Sequence, residues 1–108
     1  MRLTADIWVS AYLTRLRLSD IPAFVVHKGD PTAGAVLIKL NTLDGNAFGY
    51  QRSFDILTGA RKWVTLIDGA ETVVDASITK QRSFDPDLWV IEVEDKAGRH
   101  LLDEPGLE

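Results

Sequence analysis

The sequence predicts an α+β fold in the order α-β-β-β-β-α-β, a mostly antiparallel sheet carrying two helices that can cover both of its faces. Three observations predict it. Two windows, residues 4–19 and 68–82, carry apolar residues at helical spacing. Five short runs are rich in β-branched and aromatic residues. Glycine, proline and Asp-Gly punctuation separates the runs. With 108 residues, the chain has the length of one domain and is expected to form one over residues 1–108.

Thr4 followed by Ala5 and Asp6 reads as the start of the first helix, with Thr4 as its N-cap. At 100° per residue, Ile7, Trp8, Val9, Ala11, Tyr12, Leu13, Leu16 and Leu18 spread over far more than the usual apolar stripe, so this helix needs cover on more than one side. Arg15 and Arg17 suit its carbonyl end, and Ile21-Pro22 ends it, because the residue before proline is pushed out of the helical region. Residues 23–28 and 35–41 then read as a β-hairpin around the loop Gly29-Asp30-Pro31-Thr32-Ala33-Gly34. Asp44-Gly45 turns the chain into a third strand over residues 47–55, and Thr58-Gly59 into a fourth over residues 62–67. Asp68 and Glu71 have the spacing of a reciprocal helix cap, placing Val74 and Ile78 on the inner face of a second helix. Asp85-Pro86 stops that helix. Residues 88–94, apolar on both faces at Leu88-Trp89-Val90-Ile91, read as a strand inside the sheet.

Composition excludes much chemistry. The chain has no cysteine, which removes disulfides, thiolate nucleophiles and sulfur-ligated metals. A net charge of −4 disfavours nucleic acid, whose phosphates need a basic surface. Arg15 with Arg17, and Arg61 with Lys62, are the basic clusters. The opening run is interrupted by Asp6, Ser10, Thr14 and Arg15, so it makes neither a signal-peptide core nor a membrane span. A cytoplasmic protein with no membrane attachment is expected.

The pentapeptide Gln-Arg-Ser-Phe-Asp occurs at Gln51 and again at Gln81. The first copy falls on a predicted strand and the second at the end of a predicted helix, and their flanks disagree. A duplicated unit preserves its surroundings, so the repetition is coincidental. Around the second copy, Phe84-Asp85-Pro86-Asp87-Leu88-Trp89-Val90 and Glu92-Val93-Glu94-Asp95 resemble a family of small alphaproteobacterial proteins, domain of unknown function 1491. Ile7-Trp8-Val9-Ser10, Gly29-Asp30-Pro31 and Ala33-Gly34-Ala35-Val36-Leu37 are similar to its other segments, so the resemblance spans nearly the whole chain. It implies no substrate, cofactor or catalytic residue.

Candidate chemistry is thin. Pro86-Asp87 with Glu94-Asp95-Lys96 spells a metal-nuclease pattern, but Asp87 and Glu94 stand at opposite ends of one strand, roughly 20 Å apart, too far to share an ion. Glu92 and Glu94 share a strand face and, with Asp87, are the weak candidates for an Mg²⁺ or Ca²⁺ site. His27 and His100 have no metal-ligand spacing, and the glycines form no phosphate-binding loop. No catalytic residue and no cofactor are assigned. Trp8 and Tyr12, one turn apart on the over-wide helix, with Arg15 beyond them, are the partner-binding candidates. The sequence therefore points to a non-enzymatic binding or assembly module acting through its first helix, as a homodimer or with a protein partner. The alternative is a metal-dependent enzyme using the carboxylates Asp85, Asp87, Glu92, Glu94 and Asp95.

Overall fold

Trp89-Val90-Ile91 is apolar on both faces, and the chain puts it where both faces are covered. The computed structural model describes residues 3–108. Its elements are α1 (Ala5–Leu18), β1 (Ala23–His27), β2 (Val36–Asn41), β3 (Asn46–Phe54), β4 (Arg61–Ala70), α2 (Glu71–Phe84) and β5 (Trp89–Glu94). This is the α+β order that the periodicity predicts. The five-stranded sheet runs β1-β5-β2-β3-β4, antiparallel except where β5 lies parallel to β2.

That arrangement corrects one expectation: β1 and β2 do not form a hairpin. β5 lies between them, with Ile91 opposite Val25 on one side and Ile38 on the other. The physical reason is burial. All six residues of β2 are buried, while the middle of β1 is exposed, so β1 belongs at an edge and β2 needs a more apolar neighbour. β5 supplies it, and the parallel β2–β5 pairing is reached through the long connection that β3, β4 and α2 provide.

Alternation along the central strands divides the core in two. Ile38, Leu40, Trp89, Ile91 and Val93 pack against Trp8, Val9, Tyr12 and Leu16 of α1. Leu37 and Val90 pack on the other face against Val74 and Ile78 of α2. Val73, next to Val74 on α2, is exposed.

Both helix starts differ from expectation. Thr4 directs its hydroxyl to the Asp6 carboxylate (2.6 Å) and caps no amide itself, while Asp6 accepts the Ile7 amide (2.8 Å). The amides of Ala5 and Asp6 donate instead to the carbonyls of Thr32 and Pro31 (3.1 and 2.9 Å), so the β1–β2 loop is the cap. Asp68 lies within β4, opposite Phe48, and the Asp68–Glu71 cap does not form, because the Glu71 carboxylate is taken by Lys39 and Asn41. α1 closes with Asp20 in the left-handed region (φ 59°), while the amides of Ile21 and Asp20 donate to Leu16 and Arg17, ahead of Pro22.

The β1–β2 loop and the turn before β5 interlock. Asp30 donates its amide to the Asp87 carbonyl (3.0 Å), and Trp89 donates its amide to Ala35 (2.8 Å) and its indole to Asp30 (2.7 Å). His27 Nδ1 donates to the Leu88 carbonyl (2.7 Å). Asp85 is the stop expected of it, its carboxylate accepting the Asp87 amide (3.1 Å). The first copy of the repeated pentapeptide lies on β3 and the second ends α2. Their aspartates still do the same job, since Asp55 likewise accepts the amide of Leu57, two residues on (2.8 Å).

Gly34 marks how closely these segments approach. A Cβ there would lie 2.6 Å from the Asp87 carbonyl oxygen and 2.7 Å from that of Asp30, both backbone atoms that cannot swing aside. Gly34→Ala is expected to cost about 1–3 kcal/mol through this overpacking, read as a lower urea midpoint at unchanged slope.

Candidate functional site

Much of the over-wide apolar surface of α1 is covered inside the same chain, while Ile7 and Leu18 stay exposed. Trp8 and Tyr12, expected as anchors on a partner surface, are 4% and 0% exposed. They are core residues of this fold. Trp8 stacks on Tyr12 (5.0 Å between ring centroids) and meets Trp63 of β4 at 5.3 Å. The Arg52 guanidinium lies over both indoles, 4.6 Å from Trp8 and 4.8 Å from Trp63. A cation held on two aromatic faces fixes the angle between α1 and the β3–β4 edge.

What closes over these aromatics is the segment after β5. Asp95 bends it back, its carboxylate accepting the Arg99 amide (2.7 Å) and pairing with the guanidinium (3.0 Å). The segment then runs along α1, held largely by side chains that donate to its carbonyls. Tyr12 donates its hydroxyl to His100 (2.8 Å), Arg15 to Pro105 (2.8 Å), Trp63 its indole to Leu107 (2.6 Å) and Arg61 to Glu108 (3.2 Å). Leu102 and Leu107 are buried in the α1 core. Burying one leucine is worth about 1.5–3 kcal/mol, so these two are the principal anchors.

A cavity of about 330 Å³ remains between this segment and the β3–β4 edge, lined among others by Tyr50, Trp63, His100 and Asp103. His100 is half-buried with its ring 4.8 Å from Tyr50. Its Nδ1 accepts the Leu102 amide (3.0 Å), which fixes the neutral ring with its proton on Nε2. Burial pushes the His100 pKa below its ordinary value, with the Asp103 charge opposing. Burial likewise raises the Tyr12 hydroxyl far above its ordinary value and keeps it a donor.

Of the predicted partner residues, Arg15 alone works at the rim. Leu102 and Leu107 carry no local pattern that singles them out. The available signal was the excess apolar width of α1, which demanded a cover without naming it.

The carboxylates do not form a metal site. Glu92 and Glu94 share the α2 face, but Asp87 lies in the turn before β5. Among the described residues, no group of three His, Cys, Asp or Glu side chains is placed to hold a metal ion. Glu92 is committed elsewhere, to a cluster the sequence did not reveal. Lys39, in the middle of β2 with its side chain 6% exposed, pairs with Glu71 (2.7 Å), Asp75 (2.7 Å) and Glu92 (3.3 Å). Asn41 donates to Glu71 as well (3.0 Å). Burial acts to lower the Lys39 pKa, but hydrogen bonds from Asp75 and Glu71 and the charge of Glu92 outweigh it, and the pKa rises. A lysine held charged at neutral pH is a poor nucleophile and proton acceptor, and the cluster ties α2 to β2 and β5.

The fold and groove define a small α+β protein whose first helix is closed under its own trailing segment. The chain belongs to the family described as "Protein of unknown function (DUF1491)", whose model matches residues 3–103. It is similar to a crystal structure of a DUF1491 family protein from Caulobacter crescentus CB15, with 39% identity, coverage of 96% of this chain and 98% of that one, and a TM-score of 0.86. An NMR structure of a DUF1491 family protein from the same organism gives 39%, 97%, 96% and 0.83. A solution structure of a protein from A. tumefaciens gives 29%, 87%, 86% and 0.74. No curated protein matches. Among the described residues, no helix is long and apolar enough to cross a membrane.

Lys39→Met leaves three carboxylates facing one another and is expected to cost about 1–3 kcal/mol, less than for a fully buried pair because Glu71 and Asp75 are partly exposed. The raised pKa sets the sign of the pH dependence. Its contribution is fully present below the ordinary lysine value of about 10.4 and is lost as pH rises through the folded value. Chemical denaturation should show a constant gap between native protein and variant from pH 8 to 10, and a gap that narrows only above about pH 10.4.

Proposed function

We propose that this protein is a non-enzymatic binding or assembly module that acts through α1, and that its occupant is an acidic, leucine-bearing peptide segment folded through tight turns. The observation that supports this reading is the manner in which residues 100–108 are held. Four side-chain donors, from Tyr12, Arg15, Trp63 and Arg61, reach carbonyls of that segment, and two leucines are buried beside them. Donors to main-chain carbonyls hold a chain whatever its side chains, while pockets for spaced apolar residues select it. Trp8 and Tyr12 are then the floor of the groove and Arg15 its rim. The basic residues that could have suggested nucleic acid, Arg15, Arg61 and Lys62, face the acidic Asp103, Glu104 and Glu108 instead. The trailing segment of a second copy has the required chemistry, which makes a homodimer by exchange the simplest assembly. A protein partner bearing such a segment is the other form.

The test uses the full chain carrying Leu107→Asp, which removes one anchor. A synthetic peptide of residues 101–108 should bind this variant saturably and raise its Tm. It should bind the native protein at least tenfold more weakly, because the resident segment competes. A folded variant that shows no peptide binding overturns the proposal. If Leu107→Asp does not fold, Arg15→Ala with Arg61→Ala loosens the same segment from the rim, and the same titration decides.

A further inference from the structure

The geometry points to His100 as an acid-sensitive latch on the groove: protonation of its ring releases residues 100–108 from α1 while the sheet and both helices stay folded. This rests on the groove reading above only for what the opening accomplishes. The latch itself stands on the contacts of the ring.

Three features make the ring a latch. Nδ1 accepts the Leu102 amide at 3.0 Å. An imidazolium carries hydrogen on both nitrogens and accepts nothing, so the charged ring and that hydrogen bond exclude each other. The residue whose amide is displaced is Leu102, one of the two buried anchors, so loss of the bond bears directly on docking. The carbonyl of His100 is also the first contact with α1, through Tyr12. The latch therefore sits where the segment meets the groove, ahead of Pro105, Leu107 and Glu108.

The groups facing the ring come from each element around it. Tyr50 of β3 packs on the ring at 4.8 Å, and Tyr12 of α1 holds the backbone beside it. Arg61 and Lys62 of β4 line the same cavity and oppose a second positive charge. Asp103, Glu104 and Glu108 of the segment itself line it too and favour one. Asp103 is the only one of these to raise the proton affinity of His100, and burial outweighs it.

The sign follows. The closed state holds the ring neutral more strongly than the open one. The histidine's contribution to closure is complete above the open-state value of about 6.5 and is lost as pH falls through the closed-state value.

The experiment is an NMR hydrogen-exchange titration of the isotope-labelled full chain from pH 7.5 to 5. It follows the Leu102 amide and the Trp63 indole, whose proton goes to Leu107. Protection of both should fall together, by about tenfold per pH unit below 6.5, while amides of β2, β5 and α2 stay protected. His100→Asn is the control, because the asparagine oxygen stands where Nδ1 accepts and does not titrate. That variant should keep Leu102 and Trp63 protected at pH 5. If both sites stay protected in the native protein at pH 5, or if the asparagine variant loses protection over the same interval, the latch is overturned. Adding the peptide of residues 101–108 at pH 5.5 separates the two proposals. Opening without peptide binding leaves the latch standing and removes the groove reading, whereas a closed native protein alongside a peptide-binding Leu107→Asp variant does the reverse.

Discussion

The insertion of β5 between β1 and β2 is the constraint on which the rest of the structure depends. A strand apolar on both faces must be covered on both, and a central position in the sheet is the only one that gives this. Once β5 is there, β2 is central too, the sheet needs one helix on each face, and the two segments entering the central strands must run side by side. That last requirement explains the interlocked loop and turn. Asp30 and Ala35 on one side and Asp87 and Trp89 on the other exchange main-chain hydrogen bonds at a separation that admits no Cβ at Gly34. The loop also presents the carbonyls that cap α1.

The segments that carry the family resemblance therefore meet at one place. Phe84 to Asp95, Gly29 to Leu37 and Ile7 to Ser10 are far apart in the chain, yet they build the junction, the central strands and the helix packed on them. The Asp85-Pro86-Asp87 turn contributes a carbonyl and a side-chain cap to this junction. The Asp85 carboxylate has a folding role here.

The two faces of the sheet are treated differently. On the α2 face, the apolar cover of Val74 and Ile78 is continued by the Lys39 cluster, in which a lysine among three carboxylates and Asn41 fills the remaining polar space. On the α1 face the cover is aromatic and is completed by a peptide segment with its own anchors. A cover made of separate side-chain donors and two leucines opens at lower cost than a strand locked into a ladder. The binding proposed through α1 and the release proposed at His100 both draw on that difference.

The sequence by itself determined the elements, their order and the inner residues of the central strands, because 3.6- and 2-residue periodicities are local properties. It determined that α1 would need more than one cover, from the width of its apolar surface, and that Asp85 would stop α2. Only the tertiary structure decided the strand order. A loop between two strands looks the same whether they pair with each other or with a third, and the choice is made by which strand best buries β2. The tertiary structure also decided that Glu71 would serve Lys39 and leave α2 without its predicted cap, since a buried ammonium demands partners more strongly than a helix start does. It placed residues 100–108 along α1 as well. Nothing local marks Leu102 and Leu107 as core, and they become so only where Trp8, Tyr12 and Trp63 come together to receive them.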